Sequence, residues 1–223
     1  METNRKTKYY DWSINEIESI KKNNKKKTIG IHACCAPCAC FPLEFFLLAD
    51  LFHVVILYDN SNIYPLSEYE KRRNELIKLV ELINKDRKDK IELVIFDYDN
   101  ESYEKEFSPY KDERECGPRC IRCYTKRMRT CYAYSNDHKY DYFTTVMSIS
   151  RQKSSEVMNE IGSLLEKEFA YTKYFYSDFK KKGGQERATY LKKYYDLYNQ
   201  QYCGCKASYE DYLLRLKNKE EHR

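Results

Sequence analysis

The 223-residue chain has no long apolar run. No stretch approaches the ~18 apolar residues that a membrane-spanning helix needs. The first residues, METNRKTKYYDW, are polar and basic, whereas a secretory signal carries an apolar core. We therefore expect a cytoplasmic protein with no membrane partner, in a reducing compartment where structural disulfides are rare.

Internal repeats and long linkers are also absent. A chain of 223 residues with 42% apolar and 15% aromatic residues is long and apolar enough to fold around one core. The simplest organisation is an N-terminal extension over residues 1–27 followed by a single α/β catalytic domain over residues 28–223.

Hydrophobic patterning predicts alternating strands and helices. Short runs rich in β-branched and aromatic residues predict strands over residues 28–33, 53–58, 91–97, 140–147 and 171–176. Helical patterns cover residues 12–27, 67–85, 151–169 and 186–202. This alternation indicates a mostly parallel sheet of about five strands flanked by helices, of the Rossmann-like or PP-loop-like kind.

The polar and cysteine-rich segments follow predicted strands. HACCAPCAC (residues 32–40) follows the first strand, TTVMSISRQK (144–153) the fourth and YSDFKKKGG (176–184) the fifth. Ligands of such sheets bind at the carboxyl ends of the strands. We therefore expect a cysteine-rich metal site at this edge of the sheet.

Ten cysteines are present, and nine of them fall into three clusters. The clusters are Cys34/Cys35/Cys38/Cys40, Cys116/Cys120/Cys123 and Cys203/Cys205, and Cys131 stands alone. Buried cysteines acting as small apolar residues explain one or two scattered thiols, but not clusters. In a reducing compartment this pattern indicates metal or redox chemistry.

Two pairs of thiols suggest a metal centre. Cys34 and Cys35 are adjacent, and Cys120 and Cys123 form a C-x-x-C pair at a loop or first helical turn. Four thiolates suit tetrahedral zinc or a 4Fe–4S cluster. Zinc ribbons separate their pairs by ~15–20 residues, far less than here. Radical S-adenosylmethionine enzymes share the spacing of Cys116, Cys120 and Cys123, but no glycine-rich segment follows to hold the methionine moiety.

The YCGC segment has a different character. Gly204 between Cys203 and Cys205 permits the tight backbone that a small disulfide ring needs. Such a ring is strained, and strained disulfides are the labile, catalytic ones. The pair is therefore a candidate two-electron relay, and the alternative is that both thiols are further metal ligands.

Several motifs occur together in one known family. HACCAPC, NIYPLSEYEKR, RCIRC, YDYFTTVMSISRQKS, YSDFKKKGG and YNQQYCGC appear in the order seen in the cobalamin-independent epoxyqueuosine reductases, the QueH family. The sequence resembles this family from about residue 28 to about residue 210. The resemblance implies reduction of the epoxide of epoxyqueuosine in tRNA to give queuosine, at the wobble position of GUN anticodons.

The resemblance also implies site residues. It assigns Cys34, Cys35, Cys120 and Cys123 to a 4Fe–4S cluster, and Cys203 with Cys205 to a redox-active disulfide that an electron donor of unknown identity must reduce. Cys38 and Asp178 are candidates for an additional iron, and Cys38 is also a candidate for reducing the disulfide. Cys40, Cys116 and Cys131 lie outside the family pattern.

Basic residues near the same sheet edge are candidate substrate contacts. Arg151, Lys153, Lys180 and Lys181 can neutralise phosphate, and Arg151 or Lys153 can also stabilise a developing alkoxide. The net charge of +5 permits a nucleic-acid partner without requiring one. A solvated lysine run is an equally good interpretation of Lys180 and Lys181.

Two other functions compete with the reductase. One is a zinc-binding protein that binds nucleic acid without catalysis, which a metal analysis would distinguish. The other is a tRNA sulfur-transfer enzyme. Those enzymes carry an S-G-G-x-D-S phosphate loop after the first strand, where this chain has cysteines, and this difference argues against ATP use.

Overall fold

The computed structural model describes residues 7–23 and 25–221. Its five strands are β1 (Lys27–His32), β2 (Phe52–Tyr58), β3 (Glu92–Ile95), β4 (Tyr142–Thr145) and β5 (Lys173–Tyr174). Its α-helices are α1 (Lys8–Lys22), α2 (Ala36–Ala49), α3 (Leu66–Asn84), α4 (Asn100–Phe107), α5 (Pro118–Asp137), α6 (Ser155–Glu166), α7 (Gly184–Tyr194) and α8 (Lys206–Glu221). Short 3-10 helices occupy Ser108–Tyr110 and Val146–Ile149.

All five strands run parallel in the order β3-β2-β1-β4-β5. The central strand β1 pairs Ile29 with Val54 on one side and with Tyr142 on the other. Ile29 and Ile31 are fully buried, because helices cover both faces of the sheet. The predicted mostly parallel α/β sheet of about five strands is therefore confirmed.

The connections that leave the carboxyl ends of β1 and β4 run in opposite directions, because β1 is followed by β2 on one side and β4 by β5 on the other. Helix α2 packs against β2, α3 and α7, whereas α5 packs against β1, β4 and α6. Right-handed crossovers place these two groups on opposite faces of the sheet. The chain therefore leaves β1 and β4 towards opposite faces, and the space between these two connections is where α/β sheets bind ligands.

Helix α2 was not among the predicted helices. Its segment, APCACFPLEFFLLA, is apolar on all sides and therefore lacks the amphipathic period that the prediction used. Buried Leu43 and Phe46 show that this helix is packed into the core. Helices α4, α5 and α8 were also missed, although Cys120 and Cys123 do lie near the start of a helix, as predicted.

Other boundaries also differ from the prediction. Helix α1 ends at Lys22, and the backbone N–H of Lys27 already donates to the Leu51 carbonyl at 2.9 Å in the sheet. Helix α6 begins later than predicted because Ser154 caps it, accepting a hydrogen bond from the Val157 N–H. Helix α7 ends at Tyr194 rather than continuing to residue 202.

Helix α1 packs against residues of β4 and of the segment that follows β5. Trp12 meets the ring of Tyr176 edge-to-face with centroids 5.0 Å apart, and Glu16 accepts a hydrogen bond from the Tyr142 hydroxyl. Residues 1–6 and 24 of the predicted extension, and residues 222–223 of the predicted domain, lie outside the described residues. Within residues 7–23 and 25–221, no helix is both long and apolar enough to cross a membrane.

Candidate active site

Three cysteines meet where β1 ends. The sulfur atoms of Cys34, Cys35 and Cys38 all lie within 4.8 Å of one another, and those of Cys34 and Cys35 are 3.8 Å apart. Cys35 stands at the N-cap position of α2, and Cys38 belongs to the first turn of that helix. The turn from strand to helix therefore gathers soft ligands of the kind that bind zinc or iron–sulfur clusters.

The three thiols influence one another's pKa. Hydrogen bonds from Cys35 and Cys38 lower the pKa of Cys34, and the same interactions raise the pKa of Cys35 and of Cys38. The nearby cations Lys153 and Arg127 stabilise the Cys34 thiolate further. A buried thiolate with cationic neighbours is prepared to bind a metal, because the thiolate is the form that coordinates.

Cys120 and Cys123 lie on the first turns of α5, and both are buried. They line a cavity of about 380 Å³. Cys203 and Cys205 line the same cavity, although about 80 residues of chain separate them from Cys120 and Cys123. Neither Cys120 nor Cys123 belongs to the 4.8 Å sulfur group at β1 among the described residues.

Arg127 connects the two groups of thiols. Its side chain is 4% exposed and donates hydrogen bonds to Asn60 Oδ1 and to the Asp59 carbonyl. Burial lowers the pKa of Arg127, but Cys123, Cys34 and Cys203 outweigh that effect and raise it overall. Thiols from all three clusters thus act on one buried guanidinium, which remains charged and offsets their negative charge.

Lys153 is a second shared cation. Burial lowers the pKa of this amine, but Cys203 and Cys34 outweigh it, and the net pKa is raised. Its Nζ lies 5.8 Å from the centroid of the Tyr124 ring, which lines the cavity. Among the predicted substrate-binding residues, Lys153 is therefore the one that interacts with the cysteines of the candidate site.

The Cys203–Gly204–Cys205 loop is held by Arg72. This buried guanidinium donates to the carbonyls of Cys203 at 2.8 Å and Tyr202 at 3.0 Å, and its Nε donates to Glu68 at 2.7 Å. The Gly204 carbonyl accepts from the Tyr64 N–H at 2.8 Å. The loop is therefore anchored through its backbone, which leaves both thiols free of structural bonds to Arg72.

Other polar groups surround the thiols. Gln200 donates to the sulfur of Cys35 at 3.1 Å. His32 Nδ1 lies 2.9 Å from Thr145 Oγ1, and burial followed by the charge of Arg127 lowers the pKa of His32 to about 3. Three buried side-chain atoms in the described residues have no hydrogen-bond partner, namely His32 Nε2, Asn62 Oδ1 and Gln200 Oε1.

The remaining predicted site residues lie in the loops after β4 and β5. Asp178 accepts a hydrogen bond from Ser155 at 2.8 Å and is not part of the 4.8 Å sulfur group. The Lys180 ammonium donates to the carbonyl of Lys153 at 2.9 Å and thereby fixes the loop that carries Lys153. Arg151, in the loop after β4, is exposed and donates a hydrogen bond to Gln185. Lys181, in the loop after β5, is half-buried.

The three cysteines outside the family pattern have separate surroundings. Cys40 is buried and donates to the Pro37 carbonyl, and Cys131 is fully buried within α5. Cys116 is exposed, and its sulfur donates to the Gln152 carbonyl at 3.4 Å. None of the three lines the cavity that holds Cys120 and Cys123.

Sequence reasoning missed several contributors to this site. The sequence analysis assigned no chemical role to Arg72, Arg127, Gln200 or Asn62. Gln200 lies inside the motif YNQQYCGC, and Asn62 and Arg72 begin and end the motif NIYPLSEYEKR, so their position was a usable signal. Arg127 looks like an ordinary charge on an amphipathic helix, and only folding shows that it is buried.

Comparisons of the sequence with a family model and with known proteins all indicate the same family. A family model described as "Epoxyqueuosine reductase QueH" matches residues 29–211. The chain is 31% identical over 197 residues to epoxyqueuosine reductase QueH of Streptococcus pyogenes, covering 88% of this chain and 76% of that protein. It is 33% identical over 179 residues to the Staphylococcus aureus protein of the same name, covering 79% and 73%.

A solved structure shares the fold. The U34-tRNA thiolase NcsA from Methanococcus maripaludis, determined with its [4Fe-4S] cluster, superposes with a TM-score of 0.51. The alignment covers 95% of this chain and 75% of the thiolase at 12% sequence identity. At that identity the likeness concerns the arrangement of helices and strands alone.

Proposed function

Since the chain belongs to the epoxyqueuosine reductase QueH family, we propose that it reduces the epoxide of epoxyqueuosine in tRNA to give queuosine. The observation that carries this proposal is the shared cavity. Two cysteines of α5 and both cysteines of the Cys203–Gly204–Cys205 loop line one space of about 380 Å³. Two proposed metal ligands and the proposed redox-active pair thus line the same cavity, as an iron–sulfur oxidoreductase requires.

The cysteines fit an iron–sulfur cluster as a donor set. We assign Cys34, Cys35, Cys120 and Cys123 as ligands of a 4Fe–4S cluster, because four thiolates are what such a cluster takes. The common approach of Cys34 and Cys123 to Arg127 supports this assignment. The thiolase of similar fold was determined with a [4Fe-4S] cluster, which is also consistent with it. When bound, such a cluster would supply an electrophilic iron and a path for electrons.

Cys38 lies in the sulfur group without being one of those four proposed ligands. We propose it as a ligand of an additional iron or as the thiol that reduces the Cys203–Cys205 disulfide. Asp178 was the other candidate for the additional iron. Its Oδ2 accepts from Ser155 and its Oδ1 from the Lys180 N–H, so our proposal for that iron relies on Cys38.

The Cys203–Cys205 pair supplies the reducing equivalents in our mechanism. Both thiols are free in the structure. Removal of the epoxide oxygen breaks two C–O bonds, forms a C=C bond and releases water, and it consumes two electrons and two protons. Oxidation of the two thiols to one disulfide provides the same two electrons and two protons. A dithiol-type or protein electron donor then returns the disulfide to thiols.

Residues around the thiols have defined tasks in this mechanism. Arg72 holds the backbone of the loop that carries Cys203 and Cys205. Lys153 remains protonated beside Cys203 and is therefore placed to stabilise negative charge on the departing oxygen. Tyr103 lines the cavity together with Cys123.

The proposed substrate is a tRNA with a GUN anticodon. The anticodon loop is already single-stranded, so its wobble base enters a cavity at low cost. We propose that Arg151 and Lys181 meet phosphates, because both are accessible at the loops beside the cavity edge of the sheet. Lys180 contributes by ordering the loop of Lys153. A tRNA substrate is consistent with the cytoplasmic location expected from the sequence.

Single-turnover kinetics test the relay. Enzyme that is pre-reduced, freed of reductant and kept anaerobic should convert about one equivalent of epoxyqueuosine–tRNA, because one dithiol supplies one pair of electrons. The Cys203→Ser/Cys205→Ser double variant should show no fast phase, whereas Cys131→Ala should behave like the parent. Conversion by the double variant at the parent rate would contradict the relay.

Iron and sulfide analysis tests the cluster ligands. Cys120→Ser should lose most of the iron and sulfide of anaerobically purified protein, because one of four proposed thiolates is removed. Cys116→Ser is the matched control in the same motif and should retain both, since the Cys116 sulfur points to the Gln152 carbonyl. A colourless parent protein with one zinc and no sulfide would overturn the assignment in favour of structural zinc.

A further inference from the structure

Helix α7 carries two neighbouring tyrosines that are open to solvent. Tyr190 is 52% exposed and Tyr194 is 67% exposed, and we call them the α7 tyrosine pair. Their rings stack with centroids 6.0 Å apart and an angle of 17° between their planes. A cluster of exposed aromatic rings, unlike a single exposed ring, is typical of a surface that binds a partner.

Arg187 orders the pair from the preceding turn of the helix. Its guanidinium carbon lies 4.8 Å from the centroid of the Tyr190 ring. The same guanidinium donates two hydrogen bonds of 2.7 Å to the carboxylate of Glu44, which attach it to α2. Tyr190 therefore has ordered neighbours on both adjacent turns, and a side chain that is already ordered loses less conformational entropy when a ligand binds.

The surroundings of the pair are strongly basic. Residues 180–194 contain six basic side chains and one acidic side chain, Glu186. The net charge of this segment is therefore +5, which equals the net charge of the whole 223-residue chain. Glu44 offsets the charge of Arg187, and the exposed Lys182 and Lys193 add positive charge on either side of the helix centre. The surface therefore complements a polyanion.

Both ends of α7 are tied to the candidate active site. Arg151 donates to Gln185, in the first turn of α7, at 2.9 Å. Beyond the end of α7, Gln200 donates to the sulfur of Cys35 at 3.1 Å. Between these two contacts the helix is about 16 Å long. The pair therefore lies on a helix that borders the site.

We propose that the α7 tyrosine pair stacks on unpaired bases of the anticodon loop that stay outside the cavity. Every nucleobase has a flat π face, and aromatic rings within a basic surface bind unpaired nucleotides by stacking on those faces. The bases of a duplex stem are already paired and stacked, so they are not available to the rings. The inference rests on the proposed function, since it takes the anticodon arm of tRNA as the ligand.

Binding of short RNA tests the inference without turnover. The fluorescent probes are an anticodon stem-loop and a blunt duplex of the same stem without the loop. The parent protein, purified anaerobically, should bind the stem-loop more tightly. Tyr190→Ala/Tyr194→Ala should weaken stem-loop binding about 10- to 100-fold and leave duplex binding unchanged, because only unpaired bases stack on the rings. Tyr190→Phe/Tyr194→Phe should bind like the parent, since both rings remain.

Tyr171→Ala is the matched control. Tyr171 is 50% exposed and has Lys139 Nζ 5.5 Å from its ring centroid, but it precedes β5, whereas the candidate site follows the strands. This variant should bind both probes like the parent. All the tyrosine variants should unfold at about the urea concentration of the parent, because the substituted side chains are exposed. If the double alanine variant loses equal affinity for both probes, the face contacts the RNA backbone and the inference is wrong.

The outcomes distinguish this inference from the proposed function. If the parent reduces epoxyqueuosine–tRNA and the double alanine variant keeps the stem-loop affinity of the parent, the inference is wrong and the reductase proposal stands. If the stem-loop binds through the pair but the parent never reduces the epoxide, base stacking stands and the reductase proposal fails. If sedimentation shows a dimer that the alanine substitutions dissociate without any change in RNA binding, the pair joins two copies of the chain and the inference is wrong.

Discussion

Gly204 determines the geometry of the redox loop at the scale of a single residue. Its φ of +134° lies in a region that side-chain-bearing residues rarely adopt. A Cβ at this position would also lie 3.0 Å from Arg72 Nη1. The glycine therefore serves two purposes, because it permits the turn and it lets the anchoring guanidinium approach the backbone.

Replacing this glycine should have a large effect. Gly204→Ala should destabilise the protein by about 2–4 kcal/mol, because backbone strain and the contact with Arg72 add. Thiol–disulfide exchange at Cys203 and Cys205 should slow as the loop shifts. Urea unfolding and the rate of disulfide reduction by a small dithiol measure the two effects.

Gly183 supplies the matched control for that substitution. It also has positive φ, +82°, but a Cβ there would meet no atom within 4 Å. Gly183→Ala should therefore cost only the backbone strain, about 1 kcal/mol, and leave the exchange rate unchanged. Equal losses for the two variants would contradict the role assigned to the Arg72 contact.

Helix α5 shows how one element gathers site residues. Cys120, Cys123 and Arg127 recur at intervals of three and four residues, and all three are buried on one face of the helix. Arg129 lies on the exposed side, where it pairs with Glu168 at 2.8 Å. The helix therefore places two thiols and the positively charged guanidinium of Arg127 on the same face.

The charge of Arg127 should tune the proposed cluster. Reduction adds negative charge, and a nearby cation favours the reduced form. Arg127→Gln should therefore lower the reduction potential of the cluster by tens of millivolts. The loss of one nearby, partly screened unit charge produces a shift of this size. A spectroscopically monitored redox titration measures the potential.

Two further variants isolate the charge. Arg127→Lys keeps the cation and should stay close to the parent potential, although it loses the bond to Asn60. Arg129→Gln removes an exposed cation of the same helix and should leave the potential unchanged, because solvent screens it. A potential that is identical in Arg127→Gln and the parent would refute the electrostatic role.

At the scale of the whole molecule, helix α1 is separate from the residues proposed for the chemistry. Cys34, Cys35 and Lys153 follow β1 and β4, whereas the contacts of α1 are with Tyr142 and Tyr176. The family match begins at residue 29, after α1. Helix α1 should therefore contribute to stability without contributing to the site.

Trp12 allows a test of that separation. Trp12→Ala should reduce the free energy of unfolding by about 1–2 kcal/mol, because it removes the edge-to-face contacts with Tyr176 and Tyr9. Iron content should not change. Leu48→Ala is the control, since Leu48 is 78% exposed and its truncation should alter neither quantity. Loss of iron in Trp12→Ala would show that α1 supports the site after all.

The sequence alone predicted the parallel α/β sheet and its site-bearing edge. Apolar β-branched runs such as HVVILY predict buried strands because only a sheet covered on both faces buries them fully. The cysteine spacing and the order of the motifs also predicted the family, since motifs such as HACCAPC and YCGC are local. Helix α2 escaped prediction because a helix buried on all sides has no amphipathic period.

Tertiary structure decided which residues share an environment. Arg72 and Arg127 belong to charged helical segments, and only packing buries them beside Cys203 and Cys34. Asn60 and Asn62 are alike in sequence, yet folding satisfies one amide and leaves the other unpaired. Contacts across more than a hundred residues depend on how the helices cross the sheet, and hydrophobic periodicity, a local property, does not contain that information.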